Sequence, residues 1–521
     1  MNNQPYPFTK KIRCFFAILY ISVRNWHIVK SLIIYQLPQL VIGKNKLLDA
    51  MANLIWAHQY HKVKNMSLEQ RVIQAFENMG PIFVKFGQLV STRVDILPNE
   101  IAQALETLQD DMPPYPFEEA KKIIEENLEQ TLRQTFKSFD RKTIGSASLA
   151  QVYKAQLHNG KEVVVKVLRP NIATKIQKNL KTLYAFARIV DKYHPNANII
   201  DATGVVEDYD KSIHNEIDLL IEAANCSQMY RNAMNHSDIK IPKMMWKYCR
   251  KNILVTEFLP GIKIQKKHAD LPKKVNKKQI AISILMLFLD QAFKYNFFHA
   301  DMHPGNILID IKDPKKPIVS LVDFGIVGSM TQTDQFYIAQ NLLAFFNRDY
   351  EKIIELHIES GWIPDMKNQQ NMMSQIRSIG EPLYAKPLKD ISFAKVLADL
   401  IQIAKQYKMV VQPQLFLLQK TIFNIEAIAR RLDPELNLWE NAKPYVEQWI
   451  NNRYSVQDSL YQITQQIPKI LHNVANPKHK QAPIEISYID NKSDKQHQQS
   501  QIPYLIIGFL IGILVTKQLL A

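Results

Sequence analysis

The stretch FFHADMHPGNILIDIKDPKKPIVSLVDFG, residues 297–325, contains the pattern that decides the fold. Its two apolar runs flank the turn-forming sequence KDPKK, and this arrangement predicts a β-hairpin. Because the two ends of an antiparallel hairpin meet, Asn306 and Asp323 should lie side by side, with Asp301 close to them. Two oxygen ligands beside a carboxylate suit Mg²⁺-nucleotide chemistry, since Mg²⁺ binds few protein oxygens and completes its shell with water and phosphate.

The same stretch also contains an alternative metal motif. His299, Asp301 and His303 form an HxDxH cluster that could hold Zn²⁺ or another transition metal, as in a hydrolase. On a strand, alternate side chains share a face, so all three would point the same way. No other Cys, His or acidic cluster in the sequence has an obvious ligand spacing, and phosphoryl transfer accounts for more of the chain.

Length and composition limit the classes of protein that fit. A chain of 521 residues with 46% hydrophobic and 22% charged residues is long enough for two or three packed, globular units. The net charge of +16 suits nucleic acid, an anionic membrane surface or a nucleotide phosphate. Because the cations are dispersed and no nucleic-acid-binding motif occurs, we predict no nucleic-acid partner. The three cysteines form no CxxC pair, which indicates a reducing compartment without structural disulfides.

The region before the hairpin contains features that suit phosphate binding. Residues 139–168 predict strands, with a small-residue loop at 144–152 and a type I′ hairpin at Asn159-Gly160. Small residues allow backbone N–H groups to approach phosphates closely, although a tight turn explains them equally well. Lys166 lies in the apolar run VVVKVL of a predicted buried strand, where its charge needs a carboxylate or phosphate partner. The structural alternative is an edge-strand lysine that faces water.

Acidic partners for Lys166 are predicted on a helix over residues 201–233. This helix carries Glu216, Asp218 and Glu222, and the last two are four residues apart and share a face. Acidic residues on a helix usually mark only a solvated surface. Here they are the nearest predicted partners for the strand lysine and for a second lysine earlier in the chain.

That second lysine lies in a predicted helical extension. A helix over residues 68–93 places Lys85 and Gln88 on one face, because they are three residues apart. A proline-rich connector, residues 110–117, separates this extension from the strands that follow. By itself the Lys85–Gln88 pair is more typical of a solvated surface than of a functional site.

Both ends of the chain contain apolar segments. The pattern over residues 14–34 suits a basic amphipathic helix on a membrane surface or a helix packed on the main domain. Near the other end, IPYLIIGFLIGILV (502–515) is uncharged and, at about 1.5 Å per residue, reaches about 21 Å of a hydrocarbon core of about 30 Å. With the residues up to 521 it predicts a membrane anchor. Gly508 and Gly512 form a GxxxG face that is compatible with a homodimer.

The separate features occur in the order of the protein-kinase signature set: small-residue loop, strand lysine, helix glutamate, lobe connection, Asp-x4-Asn and Asp-Phe-Gly. The chain resembles the UbiB-type atypical kinases of ubiquinone biosynthesis, and the resemblance covers nearly all of it. The matching motifs are KFGQ (85–88), IGSASLAQV (144–152), VVVKV around Lys166, NEIDLLIEAAN (215–225), HADMHPGN (299–306), VDFGIVG (322–328), FFNRDY (345–350) and SGWIP (360–364). As in this family, Ala and Ser replace loop glycines, and Ala300 replaces the Arg of HRD.

The resemblance implies a role for each matching residue. Lys166 would contact the α- and β-phosphates of ATP and pair with Glu222. Asp301 would be the catalytic Asp that accepts or orients a substrate proton, and Asn306 and Asp323 would hold Mg²⁺. Further nucleotide contacts are implied for the small-residue loop and the lobe connection: Ile144, Gly145, Ser146, Ala147, Ser148, Leu149, Ala150, Gln151, Val152, Glu257 and Leu259.

In this family the extension folds over the active site. Lys85 and Gln88 would therefore be regulatory, together with Glu216 and Asp218, one of which would meet Lys85. The extension occupies the space where a protein substrate would dock. ATP hydrolysis and phosphorylation of a small molecule are therefore alternatives to phosphorylation of a protein.

The expected architecture is an α+β, two-lobed, protein-kinase-like fold with an N-terminal helical extension and a C-terminal membrane anchor. The expected divisions are N-terminal helices that contact a membrane or the main domain (1–65), the KxGQ extension (66–128), an N-lobe (129–262), a C-lobe (263–455), a polar linker (456–501) and a transmembrane anchor (502–521).

The resemblance implies an Mg-ATP-dependent kinase or ATPase that supports or regulates ubiquinone biosynthesis on the cytoplasmic side of a bacterial inner membrane. Its partners would be inner-membrane lipids and ubiquinone-biosynthesis enzymes or lipid precursors. The first alternative is a pseudokinase scaffold for membrane-bound enzymes, which has no need of the full set Lys166, Asp301, Asn306 and Asp323. The second is the HxDxH metallohydrolase.

Overall fold

The structure is a computed structural model. It describes residues 31, 34–35, 63, 65–91, 99–108, 112–193, 201–264, 271–272, 274–360, 369–384, 392–407 and 413–453. These residues belong to one compact unit that ends at Arg453. The polar linker and the apolar segment at 502–521 lie outside the described residues, as does most of the helix predicted at 14–34. Within the described part of the chain, no helix is long and apolar enough to cross a membrane.

The described residues combine helices with mainly antiparallel sheets, so the α+β prediction is confirmed. The helices are α1 (Leu68–Met79), α2 (Pro81–Ser91), α3 (Asn99–Glu106), α4 (Phe117–Leu128), α5 (Leu132–Thr135), α6 (Ile172–Tyr193), α7 (Ala202–Glu216), α8 (Leu219–Ala233), α9 (Lys277–Leu289), α10 (Gln332–Phe346), α11 (Tyr350–Glu359), α12 (Gln369–Tyr384), α13 (Phe393–Gln406), α14 (Pro413–Leu432) and α15 (Leu438–Arg453). The strands are β1 (Phe136–Ser146), β2 (Ala150–Leu157), β3 (Glu162–Leu168), β4 (Ile239–Lys240), β5 (Ile253–Glu257), β6 (Ile262–Lys263), β7 (Phe298–His299), β8 (Ile307–Asp310), β9 (Ile318–Leu321) and β10 (Val327–Gly328).

The first sheet is antiparallel, with the strand order β1-β2-β3-β5. Side chains of β3 alternate between its faces, and Val163, Val165 and Val167 are fully buried on one of them. Lys166 therefore belongs to the opposite face. Strand β3 is therefore not uniformly buried. One of its faces is buried, and the lysine belongs to the other.

The turn between β2 and β3 differs from the predicted type I′ turn. Type I′ requires positive φ at both central residues, but in this turn only Gly160 has it, at 83°. Leu157 donates its N–H to the carbonyl of Lys161 at 2.9 Å, and Asn159 Oδ1 accepts the N–H of Lys161 at 3.1 Å. The chain therefore turns through a three-residue loop that ends on glycine.

Two helices predicted as continuous are interrupted. In the extension, Gly80 (φ 100°) ends α1 and Pro81 begins α2, because proline lacks the N–H that a helix interior needs but suits a first turn. In the predicted helix over 201–233, Asp218 has an extended backbone and its side chain accepts the N–H of Leu220. Asp218 therefore caps α8 and does not lie within a continuous helix.

The predicted hairpin in residues 297–325 is present as β8 and β9. The two strands are antiparallel, with Ile307 opposite Leu321 and Asp310 opposite Ile318. They lie at the centre of a second sheet with the order β4-β9-β8-β6. The short strands β7 and β10 pair with each other in the segments that precede and follow the hairpin.

The helices beyond the hairpin form a separate helical region. A buried core joins α10, α11, α12 and α13 and includes Phe345, Ile353, Met372 and Val396. Helix α14 packs against α9 and also contacts β10. This packing brings residues from the last part of the described chain close to the hairpin.

Candidate active site

Lys166, Glu222 and Asp323 form the centre of the candidate site. Lys166 Nζ lies 2.9 Å from each carboxylate oxygen of Glu222 and 3.2 Å from Oδ2 of Asp323. Strand β3 presents the lysine, and the first turn of α8 presents Glu222. The side chains of Lys166 and Glu222 are only 18% and 10% exposed. The structure thus brings together three predicted site residues from three distant parts of the chain.

The charges in this cluster stabilise one another. Burial disfavours the charged form of Lys166, but the carboxylates of Asp323 and Glu222 outweigh it and raise its pKa. Partial burial also disfavours ionisation of Asp323, whose side chain is 48% exposed, but Lys166, with a smaller contribution from Lys85, lowers the pKa of this carboxyl. At Glu222 burial outweighs Lys166 and raises the pKa. Lys166 therefore remains a cation and Asp323 an anion, as phosphate and Mg²⁺ binding require.

Asp323 and Asn306 lie together at the open end of the hairpin. The N–H of Val322 donates to the carbonyl of Asn306 at 3.0 Å, which places the neighbouring Asp323 beside it. Asp323 has φ = 64°, an uncommon conformation for a residue other than glycine that recurs at functional sites. Asn306 donates its Nδ2 to the carbonyl of Asp301 at 3.2 Å, which leaves its side-chain oxygen for a ligand. One amide oxygen and one carboxylate fit Mg²⁺, which prefers oxygen ligands.

The carboxylate of Asp301 is paired with Lys420, which sequence analysis missed. Lys420 Nζ, on α14, lies 2.9 Å from Oδ1 of Asp301, and His303 Nε2 lies 3.8 Å from Oδ2. Burial opposes ionisation of Asp301, but Lys420 and then His303 lower its pKa. The only signal for Lys420 in the sequence is a single lysine within the largely apolar run LFLLQKTIF.

The predicted HxDxH metal site is not formed. His299 is fully buried, and its Nδ1 accepts the N–H of Asp301 at 3.1 Å, while burial lowers its pKa. His303 uses Nδ1 to accept the N–H of Gly305 at 3.0 Å. Strand β7 ends at His299, so the three side chains do not alternate along a strand. Among the residues that the structure describes, no group of His, Cys, Asp and Glu could hold a metal ion by itself.

The predicted small-residue loop, residues 144–152, forms the end of β1, a short connection at 147–149 and the start of β2, and Arg169 holds it in place. The guanidinium donates from Nε to the carbonyl of Ala147 at 2.9 Å and from a terminal nitrogen to Ser146 Oγ at 3.0 Å. Gln151 is fully buried and donates to a backbone carbonyl of the connector after the extension at 3.3 Å. The side chain of Gln151 therefore holds the start of β2 against this connector.

The extension reaches the site through Lys85. Its Nζ lies 3.2 Å from Oε2 of Glu216, and both side chains are largely shielded from water. The sequence did not decide whether Lys85 pairs with Glu216 or with Asp218. The structure pairs Lys85 with Glu216, while Asp218 caps α8. Gln88 donates to the carbonyl of Leu108 at 3.0 Å. Gln88 therefore ties α2 to the residues just after α3.

The two residues predicted in the lobe connection lie at and just beyond the end of β5. Glu257 is exposed, and its Oε2 accepts the N–H of Lys243 at 3.3 Å. Leu259 is buried. Both lie on the segment that leads from the first sheet to β6, so their role in nucleotide binding stays a prediction.

Comparisons with known protein families identify the fold. Residues 107–357 match the ABC1 atypical kinase-like domain, and residues 376–437 match the UbiB helical domain. The first match covers both four-stranded sheets and the β7–β10 pair, and the second covers α13 and α14 and most of α12. The protein therefore has an atypical kinase-like fold of mixed helices and sheets.

Individual relatives specify the family. "Probable protein kinase UbiB" of Pseudomonas aeruginosa (strain LESB58) is 43% identical over 81% of this chain and 79% of its own length. The protein of the same name from Azotobacter vinelandii (strain DJ / ATCC BAA-1303) is 39% identical over 94% of this chain and 93% of its own length. A solved structure of Rv3197 with erythromycin, from Mycobacterium tuberculosis, is 21% identical with a TM-score of 0.49 and covers 74% of this chain and 97% of that one. The chain belongs to the UbiB family of atypical kinase-like proteins involved in ubiquinone biosynthesis.

Proposed function

We propose that this protein is an Mg-ATP-dependent phosphotransferase or ATPase that supports ubiquinone biosynthesis. The observation that carries the proposal is the position of Lys166, which lies between Glu222 and Asp323 on the face of the sheet opposite its buried core. An ammonium in this shielded position is oriented by two carboxylates before any phosphate arrives. Such preorganisation is the main contribution that a protein makes to phosphoryl transfer.

The remaining residues have complementary tasks. Asn306 and Asp323 would hold Mg²⁺, which when bound neutralises charge on the phosphates. Asp301 would accept a hydrogen bond from the attacking hydroxyl or water and so orient it toward the terminal phosphate. Since Lys420 Nζ lies 2.9 Å from Oδ1 of Asp301, the attacking group would donate to Oδ2 or to the remaining lone pair of Oδ1.

One observation favours a second candidate, a catalytically weak scaffold for membrane-bound ubiquinone-biosynthesis enzymes. The ion pair between Lys420 and Asp301 engages the catalytic carboxylate and lowers its pKa, which makes it a weaker base. A scaffold could bind nucleotide without turning it over. The two candidates therefore differ in the effect of Asp301 on turnover.

The proposed location is the cytoplasmic side of a bacterial inner membrane. The support is the net charge of +16 and the uncharged apolar sequence at 502–515, which more basic residues precede than follow. Inner-membrane lipids and ubiquinone-biosynthesis enzymes or lipid precursors are the proposed partners. If the full chain and a chain ending at Gln501 distribute equally between membrane and soluble fractions, the C-terminal anchor is refuted.

Nucleotide binding and turnover test the proposal directly. Mg-ATP at about 100 times its Kd should raise the free energy of unfolding by about 2.7 kcal/mol. Phosphate release should require Mg²⁺ and should fall in Asp301→Asn, whereas Lys166→Ala should weaken nucleotide binding. The absence of any stabilisation by Mg-ATP would refute the proposal. Stabilisation without turnover, unaltered in Asp301→Asn, would favour the scaffold, and Zn²⁺-dependent activity without ATP would favour a hydrolase.

A further inference from the structure

We infer that Lys420 is a second phosphate-binding cation of the active site, contributed by the helical domain. It holds Asp301 when the site is empty and contacts the transferred phosphoryl group when nucleotide is bound. The inference rests on the proposed phosphotransferase or ATPase function. It gives the helical domain, which supplies α14, a direct part in the chemistry.

The backbone around Lys420 is firmly anchored. The adjacent Thr421 is fully buried, and its hydroxyl donates to the carbonyl of Leu417 at 2.8 Å and lies 3.4 Å from that of His299. These contacts hold α14 against β7, the strand that ends two residues before Asp301. The side chain of Lys420 is 38% exposed, so its ammonium can move within a fixed reach while its helix stays in place.

The geometry of phosphoryl transfer places this ammonium near the reacting phosphate. The group that Asp301 orients must lie about 3–3.5 Å from the phosphorus that it attacks. Lys420 Nζ is 2.9 Å from Oδ1 of the same carboxylate, so it borders the place where the transferred group must lie. A small rotation of the lysine side chain would let one of its three N–H groups reach a phosphate oxygen while another keeps its bond to Asp301.

The charge balance of the site favours a shared role for Lys420. Lys166 is already engaged by two carboxylates, those of Glu222 and Asp323, and Lys85 is paired with Glu216. Lys420 has a single carboxylate partner among the described ion pairs, Asp301. It is also more exposed than the other two lysines, at 38% against 18% and 20%. Of the three cations, it is therefore the one most accessible to an incoming phosphate.

A purely structural role makes a different prediction. If the ion pair only braces α14 on the catalytic loop, its loss should lower stability and affect turnover no more than the loss of another ion pair on the same helix. Arg430 provides that comparison, because its guanidinium lies 2.9 Å from Oε1 of Glu426 on α14 and ten residues away from Lys420. Arg430→Gln is therefore a matched control.

The test uses the full-length chain with the substitutions Lys420→Ala, Lys420→Arg and Arg430→Gln. Phosphate release from Mg-ATP gives kcat and KM, and thermal shift gives the affinity ratio between the non-hydrolysable triphosphate Mg-AMPPNP and Mg-ADP. We expect Lys420→Ala to lower kcat by about 100-fold, the loss typical of one transition-state donor, with a much smaller change in KM. Its preference for AMPPNP over ADP should also fall. Lys420→Arg should keep most of both properties, and Arg430→Gln should resemble the wild type.

Chemical rescue separates a phosphate-binding role of Lys420 from a purely structural one. Ethylammonium added to Lys420→Ala should raise kcat, because the 38% exposed position is accessible to a small amine, and it should not raise kcat of Arg430→Gln. An unchanged kcat and an unchanged triphosphate preference in Lys420→Ala would overturn the inference while the proposed function stands. A wild-type protein that is stabilised by Mg-ATP but releases no phosphate would favour the scaffold over the proposed function. In that case the preference of Lys420→Ala for AMPPNP over ADP tests the role of Lys420. A reduced preference supports a contact between Lys420 and the terminal phosphate, and an unchanged preference refutes it.

Discussion

The cluster of Lys166, Glu222 and Asp323 predicts that the two members of one ion pair have unequal effects on stability. Lys166→Met leaves two carboxylates without their cation, and one of them, Glu222, is only 10% exposed. Glu222→Gln leaves Lys166 with Asp323 at 3.2 Å and with a neutral amide oxygen in place of the lost carboxylate. The lysine substitution should therefore cost more than the glutamate substitution.

The expected losses in the free energy of unfolding follow from how deeply each charge is buried. Removing one partner of a buried ion pair costs about 3–5 kcal/mol, which is the expected loss for Lys166→Met. Glu222→Gln weakens one charge-assisted hydrogen bond without removing the acceptor and should cost about 1–2 kcal/mol. The double substitution Lys166→Met/Glu222→Leu removes both shielded charges. Because Asp323 is 48% exposed and can be hydrated, the double variant should be more stable than Lys166→Met alone.

Equilibrium urea unfolding at neutral pH, followed by circular dichroism, measures these differences as shifts in midpoint. Lys154→Met is the matched control, since it breaks the more exposed pair with Glu162 on the same sheet and should cost at most about 1 kcal/mol. Equal costs for Lys166→Met and Glu222→Gln would refute the shared-lysine geometry. So would a double variant that is no more stable than Lys166→Met alone, because replacing Glu222 by Leu should remove the shielded carboxylate that Lys166→Met leaves without its cation.

Three further predictions concern the extension and the acid stability of the site. Gly87→Ala should lower the free energy of unfolding by about 1–3 kcal/mol in thermal or urea denaturation, since its Cβ would lie 2.6 Å from Leu108 Cδ1. The pKa of Asp323 is lowered, so this carboxyl stabilises the fold above its unfolded pKa of about 3.9 and the stability is lost as the pH falls below it. Stability should therefore decline less steeply on acidification in Asp323→Asn than in the wild type. Lys85→Met and Glu216→Gln should each speed amide hydrogen exchange in α2, and unchanged exchange would mean that their ion pair does not hold the extension.

The hairpin shows which structural features a short sequence pattern can predict. Two apolar runs around KDPKK predicted β8 and β9, and an antiparallel hairpin necessarily brings Asn306 and Asp323 together. Lys166 in an apolar strand predicted a carboxylate or phosphate partner because a lone buried charge is costly. Both inferences depend on short sequence patterns or on a general electrostatic rule. For that reason they needed no knowledge of the packing.

Local patterns predicted helix continuity less well. The periodicity of residues 68–93 and 201–233 continues through Gly80 and Asp218, yet the chain breaks at both positions. Hydrophobic periodicity shows which face of a segment is buried, whereas a break depends on the backbone angles of one or two residues. The competing local hydrogen bond of the Asp218 side chain decides the second break.

The sequence by itself determined the order of the chemical groups and hence the α+β class, the strand lysine and the two predicted oxygen ligands of the hairpin. Only the tertiary structure decided that Lys85 pairs with Glu216, that His299 is buried and cannot join a metal site, and that Lys420 meets Asp301. Lys420 and Asp301 are 119 residues apart, and no sequence period connects them. Their contact arises because α14 packs against α9 and β10, and the energy of such packing depends on surfaces that form only when the whole fold is assembled.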